Sequence, residues 1–71
     1  MKRKPISSTQ IKSVGYDLET RTLEIEFHRG SIYQYTPITQ EAYESMMKAE
    51  SPGKFFHANI KDNELVTCTK L

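Results

Sequence analysis

The clearest pattern along the chain is strict alternation over Leu23-Glu-Ile-Glu-Phe27. After His28-Arg29-Gly30 a second alternating run passes through Tyr33 and Tyr35. Side chains two apart in a strand share a face, so Leu23, Ile25 and Phe27 form one apolar side and Glu24 and Glu26 the other. The turn decides which side receives the tyrosines. A two-residue loop at Arg29-Gly30 would demand positive φ of a long side chain, which its Cβ resists. A three-residue loop, His28-Arg29-Gly30, instead gives the left-handed position to Gly30 as a G1 bulge. That register pairs Phe27 with Ser31, Ile25 with Tyr33 and Leu23 with Tyr35. Both tyrosines then join the apolar face, with their hydroxyls toward its edge. The other register would leave them in water beside the glutamates.

Upstream, Ile11 to Tyr16 reads as a first strand anchored by Ile11 and Val14. Asp17 to Arg21 reads as a turn in which Asp17 bonds backbone further on. The period changes after Pro37. Thr39 is an N-cap candidate, Ile38 can staple onto Tyr43, and Tyr43, Met46 and Met47 recur at helical spacing, predicting a helix from Gln40 to Ala49. Ser51-Pro52 restarts a helix, serine as cap and proline at the first position, with Phe55, Phe56 and Ile60 turned inward. Leu65 to Cys68 has strand-like composition and weak alternation, so residues 62–71 are expected to be a C-terminal tail or a short fourth edge strand. The expected architecture is α+β: a three-stranded antiparallel meander followed by two helices packed on one face (β-β-β-α-α). Residues 1–5 are expected to be a flexible basic tail and 6–61 the folded domain.

A chain of 71 residues is one small domain, burying about 60% of the surface its unfolded form exposes. Such a core leaves little stability for strained or polar buried sites. The single cysteine, Cys68, excludes an internal disulfide and a multi-cysteine metal site, and it points to a reducing, cytoplasmic setting. No apolar run reaches the ~18 residues of a membrane span. Polar Ser7 to Gln10 follow the charged start where a signal peptide would be apolar. The net charge of +1 conceals a split: without Lys2, Arg3 and Lys4 the remainder carries 7 Lys and Arg against 9 Asp and Glu, a net of −2. Bulk electrostatics therefore do not favour strong phosphate binding by the body of the domain.

Val14-Gly-Tyr-Asp17, Leu23 to Phe27, Gly30-Ser-Ile-Tyr-Gln-Tyr35 and Ser51-Pro-Gly-Lys-Phe-Phe56 with Ile60-Lys61 occur in that order. Over residues 5–61 this succession resembles the KTSC domain, a family found at the C-terminus of some lysyl-tRNA synthetases and as small stand-alone bacterial and phage proteins. The resemblance implies a domain of uncharacterised role with a link to RNA. In place of the family's usual Val-Pro before the first helix, Pro37 here precedes Ile38-Thr39.

No catalytic constellation stands out, and the chain reads as a non-enzymatic binding domain without cofactor, and as a monomer. His28 and His57 have no cysteine or carboxylate at ligand spacing, so no metal is expected. Cys68 lies too near the C-terminus to be held as a nucleophile. Two readings remain. In the first, RNA is bound: Lys2, Arg3, Lys4, Lys12, Arg29 and Lys54 contact phosphates and an accessible tyrosine, Tyr33 or Tyr35, stacks on a base. The start of the second helix at Gly53-Lys54, with Lys48 near, is an anion candidate, weighed against an ordinary capped helix. In the second, a partner protein docks on a sheet edge or an exposed aromatic.

Overall fold

The structure, a computed structural model, describes residues 2–71. Five antiparallel strands form one sheet, with spatial order following chain order: β1 (Lys4–Pro5), β2 (Ile11–Asp17), β3 (Thr22–Phe27), β4 (Ile32–Thr36) and β5 (Thr67–Lys70). Between β4 and β5 run α1 (Gln40–Lys48), α2 (Pro52–Phe56) and a π-helical continuation, His57–Lys61. The expected three-stranded meander is thus extended at both sides, and the element order is β-β-β-β-α-α-β. Residues assigned to a tail supply β1, which pairs Lys4 with Val14 and Pro5 with Ser13. The last strand begins at Thr67 rather than Leu65 and pairs with β4, Cys68 opposite Tyr35. Both additions are short, polar and exposed, so neither leaves the apolar alternation by which buried strands announce themselves.

The hairpin follows the three-residue loop. Leu23 pairs with Tyr35 and Ile25 with Tyr33, the Phe27 amide donates to the Ser31 carbonyl at 2.9 Å, and Gly30 has φ of +99°. A Cβ on Gly30 would meet nothing within 4 Å, so the strain of a substitution is backbone strain alone. Gly30→Ala is expected to destabilise by about 1–2 kcal/mol in a urea titration; an unchanged midpoint would contradict the left-handed requirement.

Ile11 and Val14 are both fully buried although three apart, because β2 shifts register between Ile11 and Ser13. The extra residue of a bulge reverses the alternation and returns both side chains to one face. With Leu23, Ile25 and Tyr35 they meet Ile38, Met46, Phe56 and Ile60 from the helical layer, forming a single core. The Thr39 hydroxyl caps α1 by accepting from the Ala42 amide at 3.1 Å. Tyr43 stacks on Tyr16, ring centroids 4.8 Å apart, and the Tyr16 hydroxyl donates to the Ile38 carbonyl. Asp17 accepts from the Glu19 amide at 3.0 Å.

The opposite face of the sheet is not the open glutamate surface that alternation suggests. Glu24 is only 6% exposed. Arg3 forms an ion pair with it, and Gln34 Nε2 donates to its other oxygen at 2.9 Å; Ser13 Oγ donates to Glu26 at 2.9 Å. Burial pushes the Glu24 carboxyl up, but the hydrogen bonds from Gln34 and Arg3 and the Arg3 charge outweigh it, so its pKa lies below the ordinary 4.5. A lowered folded pKa means the ionised form favours folding. That stabilisation is complete above pH 4.5 and disappears as pH falls through the lower folded value. Arg3→Ala should cost about 1–3 kcal/mol at neutral pH and shrink the acid-dependent part of the loss. Chemical denaturation between acid and neutral pH checks both.

Candidate functional site

At the end of the sheet where β3 turns into β4, the hairpin, the loop before β2 and the π-helical turn enclose a cleft of about 830 Å³. Its wall is aromatic. Phe27 and Tyr33 meet edge to face at 5.8 Å, Phe27 and Phe56 lie 5.9 Å apart, and Tyr35 meets Phe56 at 5.0 Å. Phe56 and Tyr35 form the buried floor, while Phe27 and Tyr33 remain half-exposed. Burial, with Cys68 beside it, holds the Tyr35 phenol far above its ordinary pKa, so it stays neutral.

Cations stand on the rim. The Arg29 guanidinium sits 5.6 Å from the Phe27 ring centroid, and Lys61 borders the same space. Neither makes an ion pair among the described residues, whereas Arg3 is committed to Glu24. Among the described residues no carboxylate lines the cleft. The register explains this: Glu24 and Glu26 project to the other face, where Arg3, Gln34 and Ser13 hold them. A nearly neutral chain thereby presents one locally positive, aromatic hollow.

Two histidines anchor its far wall. His28 Nε2 lies 2.9 Å from the Ser8 carbonyl and His57 Nε2 lies 2.7 Å from Gln10 Oε1. Both partners are acceptors, so each Nε2 carries the proton and donates. The loop bearing Ser8 to Gln10 is thus tied to both the hairpin and the helical layer. Among the described residues no group of three or more potential metal ligands occurs.

Of the residues singled out from sequence, the structure gathers Arg29, Tyr33 and Tyr35 in the cleft. Gly53 and Lys54 line a second hollow of about 480 Å³ beside Ser51 and Glu50. The start of α2 is internally satisfied: Lys54 donates its amide to Ser51 Oγ at 3.4 Å and Phe55 to the Ser51 carbonyl at 3.1 Å. Lys2, Lys4, Lys12 and Lys48 are exposed but border neither hollow, and Arg3 lies on the opposite face. Sequence reasoning missed Thr9, Gln10, Phe27, His28, Phe56, His57, Lys61 and Cys68 as cleft residues. The i, i+4 spacing of His57 and Lys61 was a usable signal, since it puts them on one side of a helical turn. The approach of Cys68 depends on β5 pairing, for which no local signal exists.

Residues 7–63 match the KTSC domain family. The crystal structure of a KTSC domain protein from Yersinia pestis is similar with a TM-score of 0.90 and 41% identity, covering 99% of this chain and 96% of that one. An uncharacterised protein of Stutzerimonas stutzeri is 36% identical over 86% of this chain and 86% of its own length. A lysine–tRNA ligase of Nostoc sp. is 41% identical over 72% of this chain, which spans only 9% of that enzyme. No helix among the described residues is long and apolar enough to cross a membrane. With residues 7–63 matched by the family and a 41% identical KTSC domain structure covering 99% of its length, the chain belongs to the KTSC domain family.

Proposed function

We propose that this domain is a non-enzymatic binding module for RNA, and that a single-stranded segment enters the aromatic cleft. The observation that carries the reading is the separation of charge: Arg29 and Lys61 flank partly buried aromatic rings in a hollow whose described lining holds no carboxylate. Unstacked bases bind aromatic faces and phosphates bind nearby cations, whatever the net charge of the remaining surface. Tyr33 is the stacking ring, since it is the less buried of the two tyrosines, and buried Tyr35 lies beside it, ring centroids 6.4 Å apart. The π-helical turn supplies His57 and Lys61 to the same hollow, and such widened turns recur at functional sites. The lysine–tRNA ligases that share the segment make tRNA the first RNA to test.

Association with tRNA or a short single strand should weaken about tenfold between 50 and 200 mM salt if two or three phosphates are held. Filter binding or fluorescence anisotropy measures this. A flat response, or no association at low salt, contradicts the reading.

The second reading, a protein partner on a sheet edge, draws on β5. Its four residues are exposed, and Leu65 and Leu71 nearby are 83% and 62% exposed. Such an edge can accept a further strand. Against it, β5 carries Lys70 and two threonines rather than an apolar stripe.

A further inference from the structure

The cleft and the second hollow share a wall. Thr9, Gln10 and His57 line both, so the two spaces meet across the His57–Gln10 hydrogen bond rather than lying on separate surfaces. Their chemistry differs sharply. One side is aromatic and cationic; the other is lined by the hydroxyl-bearing Ser7, Ser8, Thr9 and Ser51, with one carboxylate, Glu50, and one cation, Lys54, at its border. Ser8 Oγ accepts from the amides of Gln10 and Ile11, at 3.3 Å each, and Ser51 Oγ accepts from Lys54. The Thr9 hydroxyl has no hydrogen-bond partner among the described residues. The side-chain Nε2 of Gln10 is similarly uncommitted among the described residues, since only Oε1 is engaged by His57.

An aromatic compartment adjoining a hydroxyl-rich one across a single shared wall matches the alternation of a nucleotide chain, in which flat bases are joined by ribose and phosphate. We infer that the two hollows form one track for a dinucleotide step of RNA, and that the second compartment reads the ribose 2′-hydroxyl. This rests on the RNA reading of the cleft and adds its register. A base stacks on Tyr33, and its phosphate passes the shared wall at Gln10 and His57. The neighbouring ribose lies among the hydroxyls, where its 2′-OH can both donate and accept. Preference for RNA over DNA then arises from Thr9, not from the aromatic wall, because stacking is indifferent to the sugar.

The test compares adenosine 5′-monophosphate, the dinucleotide ApA and its deoxy counterpart dApdA by amide chemical-shift titration at low salt, with wild type and Thr9→Val. Thr9 is exposed, and valine keeps its shape, so the fold is expected to be retained. The mononucleotide should perturb the aromatic compartment alone, and ApA should also perturb Ser8, Ser51 and Gly53. ApA should bind about threefold to tenfold more tightly than dApdA, the equivalent of one hydrogen bond, and Thr9→Val should reduce that ratio toward one. Equal binding of ApA and dApdA with shifts confined to the aromatic side overturns the track but leaves the cleft reading intact. No shift with any of the three overturns both. An RNA preference that survives Thr9→Val overturns the role given to Thr9.

Discussion

Phe56→Ala is expected to remove about 3–5 kcal/mol of stability, the largest effect of any single truncation in the domain. Phe56 is 1% exposed and touches the rings of Phe27, Tyr35 and His57. It joins the sheet, the hairpin and the helical layer at one point. The gap left by its ring could close only if all three moved. A domain of this size has a stability of roughly 4–11 kcal/mol, so the loss takes a large share of it. Thermal unfolding should shift downward by more than about 12 °C. Phe55→Ala, at a half-buried neighbour, should cost less than half as much. Comparable shifts for the two variants would mean that Phe56 is not the keystone of the core.

The second large effect concerns ligand binding. Reversing both rim charges, Arg29→Glu with Lys61→Glu, should abolish measurable RNA association while leaving the fold in place. Both side chains are exposed and make no ion pair among the described residues, and the cation–π contact of Arg29 with Phe27 is worth only about 0.5–1 kcal/mol. Neutral substitution is more informative about mechanism. Arg29→Ala should lower the salt slope by about 0.7, the share of one phosphate on a single strand. Tyr33→Leu keeps apolar bulk against Phe27 but removes the ring, and should weaken binding by about 1–3 kcal/mol. Tyr33→Phe should preserve it. If Tyr33→Leu binds RNA as wild type does, the cleft is not where bases stack.

Much of this architecture was legible from the sequence, and the exceptions have physical causes. The register of the hairpin followed from one argument about which residue tolerates positive φ, and Gly30 occupies that position. The capped starts of α1 and α2 followed from Thr39 and Ser51-Pro52, because caps are local interactions. Strands β1 and β5 were not fully legible, since edge strands of two and four polar residues are specified by pairing rather than by pattern. Glu24 is a related case. Alternation assigns its face correctly but cannot show that an arginine far away in the chain will fold over it. The basic start therefore reads as a tail, although Arg3 is part of the folded structure.

The candidate site was half legible for the same reason. Arg29, Tyr33 and Tyr35 belong to one hairpin and could be placed together from register alone. His57 and Lys61 join them only through helix packing, and Cys68 only through β5. Net charge was misleading as a guide. The near-balance of the chain counts carboxylates that the sheet directs to its opposite face, so what a ligand meets in the cleft differs from what composition suggests.

In a chemical-shift titration of the full chain with a short single-stranded RNA at low salt, amides from Phe27 to Tyr33, from Phe56 to Lys61 and at Cys68 should move together along one saturating curve. Those around Arg3, Glu24 and Gln34 should stay still. Movement confined to that opposite face or to the outer edge of β5, or no movement at all, would contradict the claim that the aromatic cleft is the binding surface.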